Sequence, residues 1–144
     1  MSTIQEILGD KYLIKEDGSH ISGYQALNGK RKVLVYFSAH WCPPCRGFTP
    51  MLKHHYEDYL YENDIEIVFV SSDSTADNAK RYFDQMGGWL MTAHNSEESR
   101  ALKQLCNVRG IPHLAMFGRD GNLIGGSVRN YIASDDRDFI LKDE

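Results

Sequence analysis

Two thiols three residues apart, Cys42 and Cys45, are the side chains best placed to do chemistry, because together they can become one disulfide. They sit in Trp41-Cys42-Pro43-Pro44-Cys45, where an apolar strand-like run from Lys32 to Ser38 gives way to a helical pattern. Residues three apart share a face of a helix's first turn, so Cys42 can attack a substrate and Cys45 can resolve the resulting mixed disulfide. Position separates the two roles. Cys42 falls at the helix N-terminus, where unpaired backbone N–H groups and the positive end of the helix dipole stabilise a thiolate. Cys45 lies a turn further in and is expected to be shielded. Lowering a thiol pKa from ~8.5 to ~7 is worth ~2 kcal/mol and raises the thiolate fraction at neutral pH from a few per cent to about half. Pro43 and Pro44 suit a first helical turn, which needs no N–H from them and matches their fixed φ. Trp41, an aromatic beside an exposed nucleophile, reads as a cover for the sulfur.

A pair of cysteines at this spacing could also be half a zinc site. Zinc would need two more ligands; Cys106 lies in a helical pattern far along the chain and no second C-x-x-C exists, so the redox reading is preferred. Cys106 itself reads as a small buried hydrophobe. His40 adjoins the motif, where an imidazolium would favour the thiolate, but a solvent-facing ring without a role fits equally well. His54 and His55, adjacent on a helix, point apart and read as surface. Asp73 reads first as a helix cap and second as a proton relay. Trp89 reads as core, as do Tyr56 and Tyr59.

The elements that position the thiols follow from hydrophobic period and turn chemistry. Tyr12 to Ile14 and His20-Ile21 form a predicted hairpin turning at Asp17-Gly18, followed by a helical patch over Tyr24 to Leu27 closed by Gly29. Val33 to Phe37 is a β-branched and aromatic run, predicted as a central strand buried on both faces. From Cys45 to about Asn63 the spacing of Phe48, Met51, Leu52, Tyr56, Tyr59 and Leu60 is helical, with a kink expected at Pro50. Ile65 to Val70 is a second strand. Asp73-Ser74 offers caps for a helix to about Met86, stopped by Gly87-Gly88. Trp89 and Leu90 open a connecting stretch, and Ser96 with Glu97 and Glu98 caps a helix ending near Cys106. His113 to Phe117 and Asn122 to Ile124 flank Gly118-Arg119-Asp120-Gly121, a hairpin signal, and a last short helix is expected from Ser134, before the acidic Asp143-Glu144. The order predicts a mixed sheet of parallel βαβ units ending in an antiparallel pair, with the thiols at the carboxyl end of a strand.

With 144 residues, 42% of them apolar, the chain reads as one domain able to bury a core. The net charge of -4 gives no global signal for nucleic acid, and Lys30-Arg31-Lys32 reads as a solvated rim. No run is long and apolar enough for a transmembrane span, and the first residues lack a charged and then apolar leader pattern, so neither membrane nor secretion is expected. The cytoplasm is the expected compartment, with the nucleus second.

Phe37 through Cys45, with Pro50 five residues after the second cysteine and Ile111-Pro112 before the late strand, resembles the thioredoxin superfamily over nearly the whole chain. Val35 to Pro50, Val70-Ser71-Ser72-Asp73 and Trp89-Leu90 are similar to its tryparedoxin and nucleoredoxin branch. The resemblance implies a thioredoxin-like α/β fold with an N-terminal β-hairpin extension, and a dithiol–disulfide oxidoreductase that reduces protein disulfides. It also implies a cis bond before Pro112, so that the backbone of Ile111 pairs with an extended substrate segment beside Cys42. Trp41, Pro43 and Pro44 would complete the substrate-binding surface. No cofactor is expected, and the chain is expected to be a monomer, re-reduced by thioredoxin reductase, glutathione or trypanothione. The alternative is a redox-sensitive binding regulator of the nucleoredoxin type. Two positions depart from relatives. Tyr36 stands where thioredoxins proper carry a buried acid, which leaves the acceptor of the Cys45 proton open, with Asp73 and Arg129 as candidate polar groups. His113 follows the proline where relatives often have a small hydroxyl residue.

Overall fold

The computed structural model describes residues 2–143, so Met1 and Glu144 lie outside it. In chain order its elements are α1 (Ile4–Leu8), β1 (Tyr12–Ile14), β2 (His20–Ser22), α2 (Gly23–Leu27), β3 (Lys32–Ser38), α3 (Pro43–His55) and β4 (Ile65–Ser71). There follow α4 (Ala76–Phe83), β5 (Leu90–Thr92), α5 (Glu97–Leu105), β6 (His113–Phe117), β7 (Leu123–Gly125), α6 (Arg129–Ala133) and α7 (Arg137–Leu141). One mixed sheet takes the strands in the order β2-β1-β5-β4-β3-β6-β7. β3, β4 and β5 run parallel, while β6 pairs antiparallel with β3 and sets His113 opposite Phe37.

Every residue of β3 and of β4 is buried, as their near-continuous apolar sequences require when helices cover both faces. Side chains alternate between two cores. Leu34, Tyr36, Ile67 and Phe69 pack with residues of α3, α4, α6 and α7; Val33, Val35, Phe37, Val68 and Val70 pack with residues of α1, α2 and α5. The hairpin β1–β2 turns through Gly18 at φ +86, a conformation open to glycine, and joins the sheet through β5.

Several expectations are corrected. The α-helix runs through the exposed Pro50, whose missing N–H leaves the carbonyl of Arg46 to turn to water, and ends at His55 rather than near Asn63. Beyond it the chain continues as a π-helical turn over Tyr56–Leu60 and a 3-10 turn over Tyr61–Asn63. The stretch after Trp89 is the strand β5, recruited by pairing with both β4 and β1. The last helix is two helices, α6 and α7, the second capped by Asp136. His55 is buried: its Nδ1 meets Tyr59 Oη at 2.7 Å and its Nε2 lies 3.6 Å from Asp135. Lys30-Arg31-Lys32 is no solvated rim. Lys32 is 1% exposed, and its Nζ donates to the carbonyls of Ile140 (2.6 Å) and Lys142 (2.7 Å), while Arg31 donates to Leu141 and pairs with Asp143.

Candidate active site

The strand β3 ends at Ser38, and four residues later Cys42 caps α3 with Pro43 and Pro44 in the first turn, as their missing N–H groups allow. The Cys42 sulfur accepts the backbone N–H of Cys45 at 3.3 Å, one of the orphan donors of the helix N-terminus. Both thiols are free in this structure. The Ile111-Pro112 bond is cis, and the Ile111 carbonyl lies 3.7 Å from the Cys42 sulfur. Two distant segments thereby converge on one sulfur. Arg129 secures the second of them, donating from Nη1 to the Pro112 carbonyl at 2.7 Å.

The carboxylate of Asp73 is fully buried, accepting the backbone N–H of His40 at 3.0 Å and the Ser71 hydroxyl at 2.7 Å. Asp73 does not cap α4; Thr75 does, its hydroxyl accepting the N–H of Asn78 at 3.1 Å. Asp73 instead braces the loop before Trp41, and its own carbonyl meets His94 Nε2 at 2.8 Å. The His40 ring lies 3.3 Å from the same carboxylate. Trp41 is half-exposed, with its indole N–H on the Ser72 carbonyl at 3.3 Å. His113 packs edge-on to Phe37 at 5.6 Å, and burial lowers its pKa.

Beneath Cys45 the two layers contribute a cluster of hydroxyls. Ser38 Oγ and Tyr82 Oη are 2.8 Å apart, Tyr82 Oη and Thr49 Oγ1 2.5 Å, and Tyr36 Oη and Thr49 Oγ1 2.7 Å. Thr49 also donates to the Cys45 carbonyl at 3.0 Å. Burial pushes the Cys45 thiol up to about 11, with the Cys42 thiol adding to the rise and a hydrogen bond from Ser38 opposing it. Burial likewise raises Tyr36 and Tyr82, so all of these groups hold their protons at neutral pH. Tyr36 stood out in the sequence, and Thr49 lies one helical turn from Cys45. Tyr82 comes from α4 and carries no sequence signal linking it to the thiols. A cavity of about 520 Å³ lies far from this chemistry, at the other end of β4, lined by Glu16, Lys30, Tyr61, Glu66 and Trp89 among others.

A mixed sheet flanked by helices, with a dithiol at a strand's carboxyl end facing a cis-proline, defines a protein of thioredoxin-like fold. A family model described as thioredoxin-like matches residues 29–123. The chain is 35% identical over 136 residues to a probable nucleoredoxin 1 of Arabidopsis thaliana, covering 92% of this chain and 23% of that protein. It is 35% identical over 107 residues to the tryparedoxin of Trypanosoma brucei brucei, covering 73% of this chain and 74% of that one. The thioredoxin of Wuchereria bancrofti superposes with a TM-score of 0.84 at 39% identity, over 92% of this chain and 90% of the other. A tryparedoxin II complexed with glutathionylspermidine gives 0.84 at 28% identity, over 95% of each chain. The chain therefore belongs to the thioredoxin-like family of oxidoreductases, in its tryparedoxin and nucleoredoxin branch. It spans about a quarter of the length of the nucleoredoxins that it matches. Among the described residues no helix is long and apolar enough to cross a membrane.

Proposed function

We propose that this chain is a protein-disulfide reductase acting as a single thioredoxin-like domain. The observation that carries the reading is the Cys42 sulfur, which accepts the Cys45 N–H at 3.3 Å and lies 3.7 Å from the Ile111 carbonyl beside the cis bond. Cys42 attacks a substrate disulfide and Cys45 displaces the reduced substrate, leaving a Cys42–Cys45 disulfide. Ile111 and Pro112 offer backbone to an extended substrate segment, and Trp41, Pro43 and Pro44 form the surface on which it rests. A low-molecular-weight thiol or a reductase of the thioredoxin type returns the dithiol to its reduced form; the tryparedoxin II bound to glutathionylspermidine favours the thiol. The protein works as a monomer in the cytoplasm.

Insulin-disulfide reduction tests this. Cys42→Ser is expected to abolish turnover, and Cys45→Ser to accumulate a mixed disulfide visible by mass spectrometry. A Cys42→Ser protein as fast as the wild type would overturn the reading. Equilibration against glutathione buffers is expected to give a potential below about -220 mV, in the range of cytosolic reductants. A second reading, a binding regulator of the nucleoredoxin type, is favoured by the exposure of Trp41 on the same surface. Partner capture that survives replacement of both cysteines would support it over catalysis.

A further inference from the structure

The cavity of about 520 Å³ at the far end of β4 has the size of a small-molecule site, and a buried charge stands in its wall. Glu66 is the second residue of β4, five residues and roughly 17 Å along the strand from Ser71 at the thiol end. A carboxylate is costly to bury without partners, and Glu66 is 8% exposed. Its Oε1 accepts the Tyr56 hydroxyl and the backbone N–H of Ile67, each at 2.9 Å. Its Oε2 accepts no hydrogen bond among the described residues and has only the Lys30 ammonium, at 3.9 Å. One carboxylate oxygen is left to whatever enters the cavity.

Lys30 marks the kind of group that belongs there. Its ammonium also lies 5.9 Å from the centre of the Tyr61 ring, so it stands at the outer limit of an ion pair and of a cation–π contact at once. A cation is favoured between carboxylate and ring, and the one that the chain supplies is seated closely on neither. Tyr56 fixes both walls, holding Oε1 and packing edge-on to Tyr61 at 5.7 Å. Lys15, Glu16 and Asp17 of the β1–β2 turn also border the cavity, so with Glu66 and Lys30 its lining carries three carboxylates and two ammonium groups, an excess of one negative charge. Burial raises the Glu66 carboxyl against the pull of its hydrogen bonds and of Lys30, which means that its charge is under-compensated.

We propose that this cavity binds a small free alkylammonium ion, with Glu66 as its counter-ion and the Tyr61 ring as its cation–π wall, in the place that the Lys30 ammonium holds loosely. Lys30 yields on its flexible four-carbon stem. Ile21 and Leu90, also in the lining, receive the alkyl chain. The excess of a single negative charge matches one ammonium, and the volume holds a whole small amine. The site stands apart from the thiols and does not depend on the reductase reading.

The two tryptophans of the chain lie one at each site, Trp41 beside the thiols and Trp89 in the cavity wall. In the ¹⁵N-labelled full chain their indole N–H signals serve as internal control and reporter. Butylammonium chloride is titrated at constant ionic strength, with sodium chloride making up the balance. The Trp89 signal is expected to shift saturably while that of Trp41 stays. Butan-1-ol, of the same shape without the charge, is expected to bind at least about tenfold more weakly, as is butylammonium to Glu66→Gln. Tyr61→Ala, at an exposed position, is expected to weaken binding about threefold. Lys30→Met is expected to tighten it about threefold, because the internal competitor is gone. A Trp89 shift that does not saturate, or butan-1-ol binding as well as butylammonium, would overturn the proposal and leave an apolar hollow. Weaker binding to Lys30→Met would overturn it too, since Lys30 would then belong to the site instead of filling it. Nα-acetyl-lysine methylamide binding more tightly than butylammonium would overturn the free amine and assign the cavity to a lysine side chain of another protein. Should Glu66→Gln not fold, Tyr61→Ala and Lys30→Met, expected to act with opposite signs, decide the matter. Insulin reduction enters none of these readouts, so this site and the reductase reading fail separately.

Discussion

Cys42 and Cys45 share a residue type and a helical turn, yet the fold treats them differently. Cys42, only 4% exposed rather than the open nucleophile its position suggested, faces the carbonyl of Ile111 in the cis-proline loop; Cys45, with no exposure at all, is sealed over hydroxyls and its thiol is pushed up to about 11. Cys106 shows the same physics without a function attached. Burial among apolar side chains pushes its thiol from 9.0 up to about 12. The folded state therefore keeps a proton that the unfolded chain releases, so this contribution is complete below about pH 9 and is lost as pH rises towards 12. Cys106→Ala is expected to flatten the fall of Tm above pH 9, as followed by thermal melts of reduced protein. An unchanged pH dependence would mean that Cys106 titrates normally. His55 runs the other way. Burial lowers its pKa against the opposing pull of Asp135, so acid must charge a ring that the fold holds neutral.

At the scale of elements, the site depends on how β3, α3 and β4 end. β3 delivers Ser38, two prolines open α3, and β4 ends in Ser71, which positions the Asp73 carboxylate. Asp73 is withdrawn from capping because the end of β4 lies beside the loop preceding Trp41, where the unpaired N–H of His40 takes its carboxylate. Thr75, two residues on, is left to cap α4. Thr75→Ala is expected to lower stability by about 1 kcal/mol in urea titrations, with insulin reduction retained. Asp73→Ala is expected to cost more, because it leaves His40 N–H and the Ser71 hydroxyl without their partner. An Asp73→Ala protein as stable as Thr75→Ala would show that the loop needs no brace.

The whole molecule is tied together by contacts between parts remote in sequence. Lys32, at the start of the central strand, is buried with its ammonium on the carbonyls of Ile140 and Lys142 at the end of α7. α7 in turn places Ile140 in the core shared with α3, so the late helices are held by a cation at the bottom of the sheet while the thiols work at the top. Lys32→Met is expected to lower stability by about 2–3 kcal/mol in urea, since two carbonyls lose a charged donor. Hydrogen exchange is expected to accelerate first in α7. Uniform exchange across the molecule would show that the clamp is not local.

What the sequence determined by itself were the features written into neighbouring residues. The strand before the thiols followed from a β-branched run, the roles of the prolines from their missing N–H, the hairpins from Asp-Gly and Gly-Arg-Asp-Gly, and the cap at Ser96 from its acidic neighbours. The cis bond at Pro112 and the thioredoxin-like fold were legible through resemblance, because a motif of that length is shared. The tertiary structure decided what depends on partners far along the chain. β5 is a strand only because β4 and β1 flank it, and Lys32 is buried only because two carbonyls of the last segment wait for it. Asp73 abandons a cap for the N–H of His40, and Tyr82 reaches Ser38 and Thr49 from another helix. Local sequence sets propensity and spacing, but a buried polar group takes whichever partner the fold brings within hydrogen-bond reach, and that choice is made in three dimensions.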